Sequence, residues 1–333
     1  MMTHARPIRF AATAISGRER CAAGKPRRGE VVAANVTRAT FTRVAVCAAV
    51  GDPYPHRIML ARRKGAGSAA VVARAGDALP RPDTSIHPVG GRTGDARGQN
   101  QLAFLRHFGL APSSRVFEIG CGVGRLAYEL APVLAGGSYV GVDISPKAIG
   151  WLNEHYAPRL RAFRFDLLDV RNPRYRPRGA HAASDMRFPY ADDHFDVIAA
   201  FAVFMHISIE EIANYLAEIR RLLDPSGFAA VTFRAVRPDR QPPPARGRDW
   251  IPVAPGVYSI FPELEHRSMA YDLALIHDTI AGAGLDVVAE IEGSWHRRPA
   301  DPAAGPRLGA DAFVLRRGPV AMDSSLVSGV TET

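Results

Sequence analysis

The sequence predicts an α/β fold in which a mostly parallel β-sheet is covered by helices on both faces. Three observations predict it. After Gln99, apolar runs rich in β-branched residues alternate with segments of helical periodicity. Residues 116–127 combine a strand, a glycine-rich loop and the start of a helix. The next apolar run ends in Asp143, which places an acid at the edge of a parallel sheet where ligands bind.

The first half of this region predicts three strands and three helices in alternation. The strands cover residues 115–119, 138–143 and 160–165, and the helices cover residues 101–108, 124–130 and 145–156. Ser145 suits an N-cap and Pro146 suits the first helical turn. Pro132 ends the helix that precedes the second strand.

The second half continues the pattern with four strands and two helices. The strands cover residues 195–200, 228–233, 285–291 and 312–316, and the helices cover residues 208–223 and 271–283. Ser208 and Glu211 form a capping-box pattern at the start of the first of these helices. Residues 224–227 form a turn. Residues 234–262 form a Pro- and Arg-rich loop that is too long for a simple connector.

Charge and patterning divide the chain into three regions. Residues 1–80 contain 14 Lys and Arg against four acidic residues and show little periodicity, so we expect a basic extension that is disordered or weakly structured. A transit peptide, a nucleic-acid-binding arm or a nonessential extension would each fit this composition. Residues 81–320 are expected to form the folded domain, and residues 321–333 a flexible tail. The 253 residues after residue 80 contain 28 basic and 29 acidic side chains.

Composition excludes several classes of protein. No apolar stretch approaches the roughly 20 residues of a membrane span, so none is expected. The three cysteines are far apart and odd in number, which favours a reducing cytoplasm over a disulfide framework. No Cys or His spacing indicates a zinc site, and we predict no metal. The neutral body of the chain argues against a nucleic-acid substrate for the folded domain, and the oligomeric state is not predicted.

The strongest functional signal is VFEIGCGVGRLA at residues 116–127. Glycines at positions 120, 122 and 124 let the backbone turn sharply and let a bulky ligand approach the main chain. The following helix presents free N–H groups at its start. Asp143 follows at the end of the next strand, where a carboxylate can accept both hydroxyls of a ribose. This arrangement indicates a site for a nucleoside.

Two classes of nucleoside ligand fit such a loop. Gly122, Gly124 and Ala127 satisfy one form of the dinucleotide fingerprint, which would suit a nicotinamide-dependent oxidoreductase. In that fingerprint, however, the first glycine closes the strand, and here Gly120 does so. Glu118 would repel a pyrophosphate, but it suits the cationic amino-acid end of S-adenosylmethionine. The spacing therefore favours S-adenosylmethionine.

With these motifs in place, residues 95–317 resemble the class I S-adenosylmethionine-dependent methyltransferases. EIGCGVG and VGVDIS are similar to the first two motifs of that family, and FPYADDHFDVIAAFAVFMHI and RRLLDPSGFAAVTF to two later ones. The resemblance implies a Rossmann-like sheet of seven strands whose last strand, residues 312–316, is antiparallel. It also implies S-adenosylmethionine as cofactor and methyl transfer as the activity.

The resemblance also implies a set of cofactor-binding residues. Asp143 would bind the ribose, and Asp169 would follow the third strand as the acid near the adenine, although Asp166 is an alternative and could instead cap a turn. The predicted cofactor-binding residues are Glu118, Gly120, Cys121, Gly122, Gly124, Asp143, Ile144, Asp169, Ala200 and Phe201. Cys121 contributes as a small loop residue rather than as a nucleophile.

His206 is the candidate catalytic residue, because it lies just beyond the fourth strand and could act as a general base. The alternative is that it packs locally or caps a helix. Five aromatic residues could form the acceptor pocket or only anchor an irregular segment: Trp250, Tyr258, Phe261, Trp295 and His296. We expect a small-molecule, sugar or lipid-linked acceptor. A nicotinamide-dependent oxidoreductase and a methyltransferase-like binding module without catalysis are the competing hypotheses.

Overall fold

The computed structural model describes residues 79–83, 85–86, 94–239, 241–264, 266–297 and 306–318. Of the expected extension, residues 1–80, only Leu79 and Pro80 are among the described residues. The tail expected for residues 321–333 lies outside them entirely.

The described residues form eleven strands and five α-helices. In chain order the strands are β1 Arg115–Ile119, β2 Ser138–Asp143, β3 Phe163–Leu167, β4 Phe195–Ala200, β5 Leu223–Phe233, β6 Ala235–Val236, β7 Ile251–Ala254, β8 Val257–Ser259, β9 Met269–Asp272, β10 Leu285–Ile291 and β11 Asp311–Arg317. The helices are α1 Gly94–His107, α2 Arg125–Leu130, α3 Pro146–His155, α4 Ile209–Leu222 and α5 Leu273–Gly282.

Seven of these strands form the main sheet, in the order β3-β2-β1-β4-β5-β11-β10. β11 is antiparallel to both of its neighbours, and the pairs among β1 to β5 are parallel. The predicted seven-stranded, mostly parallel sheet with an antiparallel last strand is therefore confirmed. The strand order reverses at β1, since β2 lies on one side of it and β4 on the other. Ligands of open α/β sheets bind at such a switch point.

Both faces of the sheet are covered, as the apolar central strands predict. Successive side chains of β1 enter different cores. Val116 lies in one core, which is built against α1, α2 and α3, while Phe117 lies in the other, which is built against α4 and α5. Both side chains are fully buried. Burial on both faces therefore fixes the register of the strands. The register in turn fixes where the loops at the carboxyl edge of the sheet begin.

Several strands and helices begin or end at residues other than those predicted, mainly because residues distant in sequence pair with each other. The predicted helix over residues 271–283 begins only at Leu273, because Tyr271 pairs with Ala235 of β6 and with Val257 of β8. The predicted loop over residues 234–262 contains much of a second, four-stranded sheet of order β6-β9-β8-β7. β3 covers residues 163–167 rather than 160–165, and β5 includes the predicted turn at residues 224–227.

Three strands and the start of one helix agree with their predicted positions. β1, β2 and β4 have the predicted bounds, and the capping box at the start of α4 is confirmed by reciprocal bonds between Ser208 and Glu211. Of the described helices, none combines the length and the apolarity that crossing a bilayer requires. Within the same residues, no group of three or more His, Cys, Asp or Glu side chains is arranged to hold a metal ion.

Candidate functional site

A cavity of about 590 Å³ opens at the carboxyl ends of β1 to β5. Its size is within the usual range for sites that bind small molecules and cofactors. Every one of these five strands contributes through its last residues or the loop after it, including Glu118, Gly120, Asp143, Leu168, Phe201 and Thr232. The cavity therefore lies at the switch point of the sheet.

The glycine loop after β1 forms one wall of this cavity. The N–H groups of Gly120 and Cys121 both donate to the carbonyl oxygen of Val142, at 2.8 and 3.0 Å, which holds the loop against β2. Gly120 has a φ of +75°, and a Cβ atom there would lie 2.5 Å from Cγ2 of Val203. Only glycine satisfies both restrictions at this position.

Asp143 connects the glycine loop to the start of α3. One carboxylate oxygen accepts from the N–H of Gly122 at 2.9 Å, and the other accepts from the N–H of Ser145 at 2.8 Å. The side chain is buried but lines the cavity. A carboxylate oxygen can accept more than one hydrogen bond, so Asp143 retains capacity for the hydroxyl donors of a ribose.

Glu118 is a buried acid at the end of β1. Its carboxyl accepts a 2.5 Å hydrogen bond from the Tyr139 hydroxyl. Burial raises the pKa of Glu118 to about 8, with a further increase from Asp143, while the Tyr139 bond and Arg125 oppose the shift. A cation bound beside Glu118 would favour its ionised form. The position thus suits a ligand that brings an ammonium group.

Sequence reasoning missed the polar residues that α1 and α2 add near Glu118. Arg97, Asn100 and Gln101 of α1 line the cavity together with Arg125, the first residue of α2. Burial lowers the pKa of Arg125, and Arg97 lowers it further. The prediction began α1 at residue 101, because the apolar periodicity starts only there, and so it omitted the turn that contains Arg97 and Asn100. An α-amino acid carries an ammonium and a carboxylate. The acid Glu118 suits the ammonium, and the two arginines suit the carboxylate.

The segment after β4 places His206 at the cavity. A short 3₁₀ turn, Phe204–His206, follows the strand, and the half-buried imidazole lines the cavity. The ring of Tyr175 packs edge-on against it, with ring centroids 5.7 Å apart. Asn172 donates from its side chain to the His206 carbonyl oxygen at 3.1 Å. Asn172 and Tyr175 belong to residues 171–186, a segment between β3 and β4 that is called the insertion from here on. The sequence pattern did not show where this segment lies relative to the cavity.

Seven of the ten predicted cofactor-binding residues line the cavity, and three do not. Those that line it are Glu118, Gly120, Cys121, Gly122, Asp143, Ile144 and Phe201. Gly124 instead caps α2, where a Cβ atom would meet Leu152 at 2.6 Å, and Ala200 is buried in the core. Contacts of these residues with a cofactor stay predictions.

Asp169 also lies outside the cavity lining. It is bound by Arg176 through two guanidinium contacts of 2.9 and 2.7 Å and by the N–H of Ala180 at 3.3 Å, all within the insertion. The neighbouring Leu168 and Val170 line the cavity instead. This placement gives no support to the predicted contact between Asp169 and adenine.

The aromatic residues of the predicted acceptor pocket separate into two groups. Trp295 lines the cavity, and Trp250 packs against it with ring centroids 5.9 Å apart. Phe261 is buried with the guanidinium groups of Arg248 and Arg267 over its ring, at 4.7 and 4.1 Å. Tyr258 and His296 form hydrogen bonds away from the cavity, to Asp272 and Asp311. Three of the five are therefore structural anchors.

Comparison with known proteins agrees with this arrangement of loop, acid and sheet. Residues 117–229 match a family model described as a methyltransferase domain. Residues 117–229 therefore form a methyltransferase domain, as the motifs in the sequence predict. S-adenosylmethionine is the cofactor of this domain, and the matched residues run from β1 through the glycine loop, Asp143 and β4 into β5.

Two curated relatives share part of the methyltransferase domain. The chain is 26% identical over 171 residues to the tRNA N(3)-cytidine methyltransferase METTL2 of Mus musculus, which covers 49% of this chain and 40% of that protein. It is 27% identical over 141 residues to the sterol 24-C-methyltransferase ERG6B of Gibberella zeae, which covers 41% of this chain and 31% of that protein. The chain thus spans less than half the length of either relative.

Solved structures of methyltransferases are similar to the chain at a lower level of identity. A TehB-like S-adenosylmethionine-dependent methyltransferase from Corynebacterium glutamicum is 17% identical, with a TM-score of 0.41, over 67% of this chain and 89% of that one. The CcbJ methyltransferase from Streptomyces caelestis is 19% identical, with a TM-score of 0.44, over 66% of this chain and 89% of that one.

Proposed function

We propose that this protein transfers the methyl group of S-adenosylmethionine to a small-molecule, sugar or lipid-linked acceptor. One observation carries the proposal. A single cavity at the switch point combines the charges for an amino acid, a carboxylate for a ribose and a histidine beyond β4. Arg97, Arg125 and Glu118 lie at one part of its wall, Asp143 at another and His206 at a third.

The cofactor orientation follows from these charges. The ammonium of the methionine part would lie beside Glu118, and its carboxylate beside Arg97 or Arg125, because each charge is then next to its opposite. The ribose hydroxyls would donate to Asp143. The apolar side chains of Ile144, Leu168 and Val170 would face the remainder of the nucleoside.

The bound cofactor supplies a sulfonium carbon that is already activated for displacement. The chain's residues then have to hold the acceptor in line with that carbon and, for a hydroxyl acceptor, remove its proton. His206 is our proposed base, because its imidazole lines the cavity beyond β4 and histidine is the side chain that most often removes protons in enzymes. Tyr175 and Asn172 would hold it in place.

The acceptor class rests on the charge of the chain. The 28 basic and 29 acidic residues after residue 80 nearly cancel, which favours a small-molecule, sugar or lipid-linked acceptor over a nucleic acid. The names of the two curated relatives specify a tRNA and a sterol, so they differ in acceptor class.

We also propose a reducing cytoplasm as the location of the protein. The free, buried Cys121 is consistent with it.

The two competing hypotheses differ from this proposal in measurable ways. A nicotinamide-dependent oxidoreductase would use the dinucleotide fold, whose strand order is 3-2-1-4-5-6. Here the antiparallel β11 lies between β5 and β10, which argues against that fold. A binding module without catalysis would bind the cofactor but show no turnover.

Calorimetry and a transfer assay test the proposal together. The protein should bind S-adenosylmethionine and S-adenosylhomocysteine and should not bind NAD; tighter binding of NAD would overturn the assignment. Incubation with methyl-labelled S-adenosylmethionine and separate pools of small metabolites, lipids and total tRNA should then label the small-metabolite or lipid pool. Labelling of tRNA alone would overturn the proposed acceptor class, and cofactor binding without any labelling would favour the binding module.

A further inference from the structure

Arg234 directly follows β5, at the carboxyl edge of the sheet where the cavity opens. Its backbone carbonyl accepts a 2.9 Å hydrogen bond from the N–H of Tyr271, which fixes the start of the side chain. The side chain lines the main cavity and also a neighbouring cavity of about 260 Å³. Ser294 and Trp295 line both cavities as well. These three residues therefore form a wall that the two cavities share.

The guanidinium of Arg234 lacks a counter-charge among the described residues. No described carboxylate forms an ion pair with it, and its Nη1 atom is buried without a hydrogen-bond partner. The ring of Trp250 lies 5.5 Å from the guanidinium carbon. Burial lowers the pKa of Arg234 to about 10, and Arg246 lowers it further. A buried cation without a partner is costly, so such positions commonly serve a ligand.

Two other partly buried arginines of the domain have acidic partners. Arg237, only three residues further along, bonds Glu290 at 2.6 Å, and Arg221 bonds Glu218 at 2.6 Å. The side chains of Arg237 and Arg221 are 14% and 13% exposed. Arg237 and Arg221 thus each have an acid within the fold, whereas no described acid pairs with Arg234.

From this contrast we propose that the methyl acceptor carries an oxyanion, a carboxylate or a phosphate monoester, which binds Arg234 at the wall shared by the two cavities. This inference rests on the proposed function. A guanidinium offers several N–H donors in one plane, which matches the oxygens of either group. The hydroxyls of Thr232 and Ser294 line the same cavity and can donate further hydrogen bonds.

The cofactor carboxylate is a weaker candidate for this position. Arg97 and Arg125 influence each other and Arg125 influences Glu118, so these three groups form one electrostatic cluster. Arg234 lies outside that cluster, because burial and Arg246 lower its pKa and, among the described residues, neither Glu118 nor Arg97 nor Arg125 contributes to that shift. The amino-acid end of the cofactor already has its counter-charges, and Arg234 is left for the acceptor.

Calorimetric titration of the full chain saturated with S-adenosylhomocysteine tests the inference. The probes are benzoate, phenyl phosphate and benzamide, which share a ring and differ in charge. At least one of the two anions should bind ten-fold or more tightly than benzamide. The anion that binds more tightly shows whether the site prefers a carboxylate or a phosphate monoester. Arg234→Met should weaken that binding ten-fold or more and leave the S-adenosylhomocysteine affinity within two-fold.

Two further variants keep the result decisive. Arg316→Met removes the same charge from an exposed position on β11 and should change nothing. Arg234→Lys, which keeps the charge but not the planar donors, should retain part of the anion affinity and serves if Arg234→Met does not fold. Equal binding of anions and benzamide, or of the anion to wild type and Arg234→Met, would overturn the inference while S-adenosylhomocysteine still binds. Absence of S-adenosylhomocysteine binding would instead overturn the proposed function.

Discussion

The indole N–H of Trp295 donates a 2.6 Å hydrogen bond to the carboxylate of Asp311, which has no exposed surface. The same carboxylate accepts from the N–H groups of Gly293 and Ala235 and is bonded to the imidazole of His296, all at 2.9 Å. Asp311 therefore fixes the segment after β10, which lines both cavities, to the end of the main sheet.

We expect Asp311→Asn to destabilise the domain. The amide would present N–H groups to existing donors, and each lost hydrogen bond to a charged acceptor is worth about 1.5–3 kcal/mol. The melting temperature should fall by roughly 5–10 °C, as measured by differential scanning calorimetry. Asp286→Asn, at an exposed position on β10, is the control and should have no effect.

The contribution of Asp311 to the stability of the domain should depend on pH in a definite direction. Burial acts to raise the pKa of Asp311, but the bonds from His296, Gly293 and Ala235 outweigh it and hold the pKa below its ordinary value. The contribution is therefore present above the unfolded-state pKa and is lost as the pH falls through the lower folded-state value. An equal loss of stability in Asp311→Asn at pH 7 and at pH 2.5 would contradict this account.

Glu118→Gln should flatten the dependence of stability on pH. The pKa of Glu118 is about 8 in the folded state against an ordinary value of 4.5. Its contribution to stability is full below pH 4.5 and is lost as the pH rises through 8, because only the folded state retains the proton. Thermal melts from pH 5 to 9 should show a smaller decline for Glu118→Gln than for wild type. Glu154→Gln, exposed on α3, should behave as wild type.

The same group should release a proton when S-adenosylmethionine binds. At pH 7 the Glu118 carboxyl is mostly protonated, and the ammonium of the cofactor would favour its ionised form. Calorimetry in two buffers of different ionisation enthalpy should detect release of roughly one proton by wild type and much less by Glu118→Gln. Equal release by both proteins would place the ammonium elsewhere.

Asp143→Asn should weaken cofactor binding by about 1.5–3 kcal/mol, the scale for hydrogen bonds to a charged acceptor. Asp169→Asn provides the comparison, because that carboxylate lies outside the cavity lining and should change the affinity less than two-fold. Calorimetry with S-adenosylhomocysteine gives both values. A large loss in Asp169→Asn would restore its predicted contact with adenine.

His206→Gln should separate cofactor binding from catalysis. Loss of a positioned general base reduces turnover by a factor of about 100 to 10,000, while the affinity for S-adenosylmethionine should not change. The same preparation gives turnover, affinity and melting temperature once an acceptor is available. His181→Gln, at an exposed position in the insertion, is the control. Full turnover by His206→Gln with a lowered melting temperature would show that His206 is only structural.

Truncation should define where the folded domain begins. The Tyr156 hydroxyl donates to the carbonyl oxygen of Pro80 at 2.9 Å, and Leu79 packs against the core that contains Tyr156. A chain that starts at Leu79 should therefore melt within about 2 °C of the full chain. Removal of residues 1–83 should cost roughly 1 kcal/mol, or about 2–4 °C. Tyr156→Phe in the full chain should reproduce part of that loss.

The sequence by itself determined the central strands and the glycine loop. β1, β2 and β4 are short apolar runs bounded by turn residues, and Gly120 and Asp143 occupy positions where local chemistry permits few alternatives. These signals depend on spacing within about 30 residues of chain, and a single sequence displays them directly. The resemblance to class I methyltransferases rested on the same local motifs.

Only the tertiary structure decided which polar residues meet at the cavity. Asp311 bonds Ala235 across 76 residues of sequence, and Tyr271 became part of a strand because Ala235 and Val257 pair with it. In the sequence, Arg234 does not differ from the other arginines of the chain. In the structure it differs because it packs beside Trp250 and no described acid pairs with it. Hydrogen bonding and burial depend on neighbours that the chain brings together only when it folds, so no local pattern contains them.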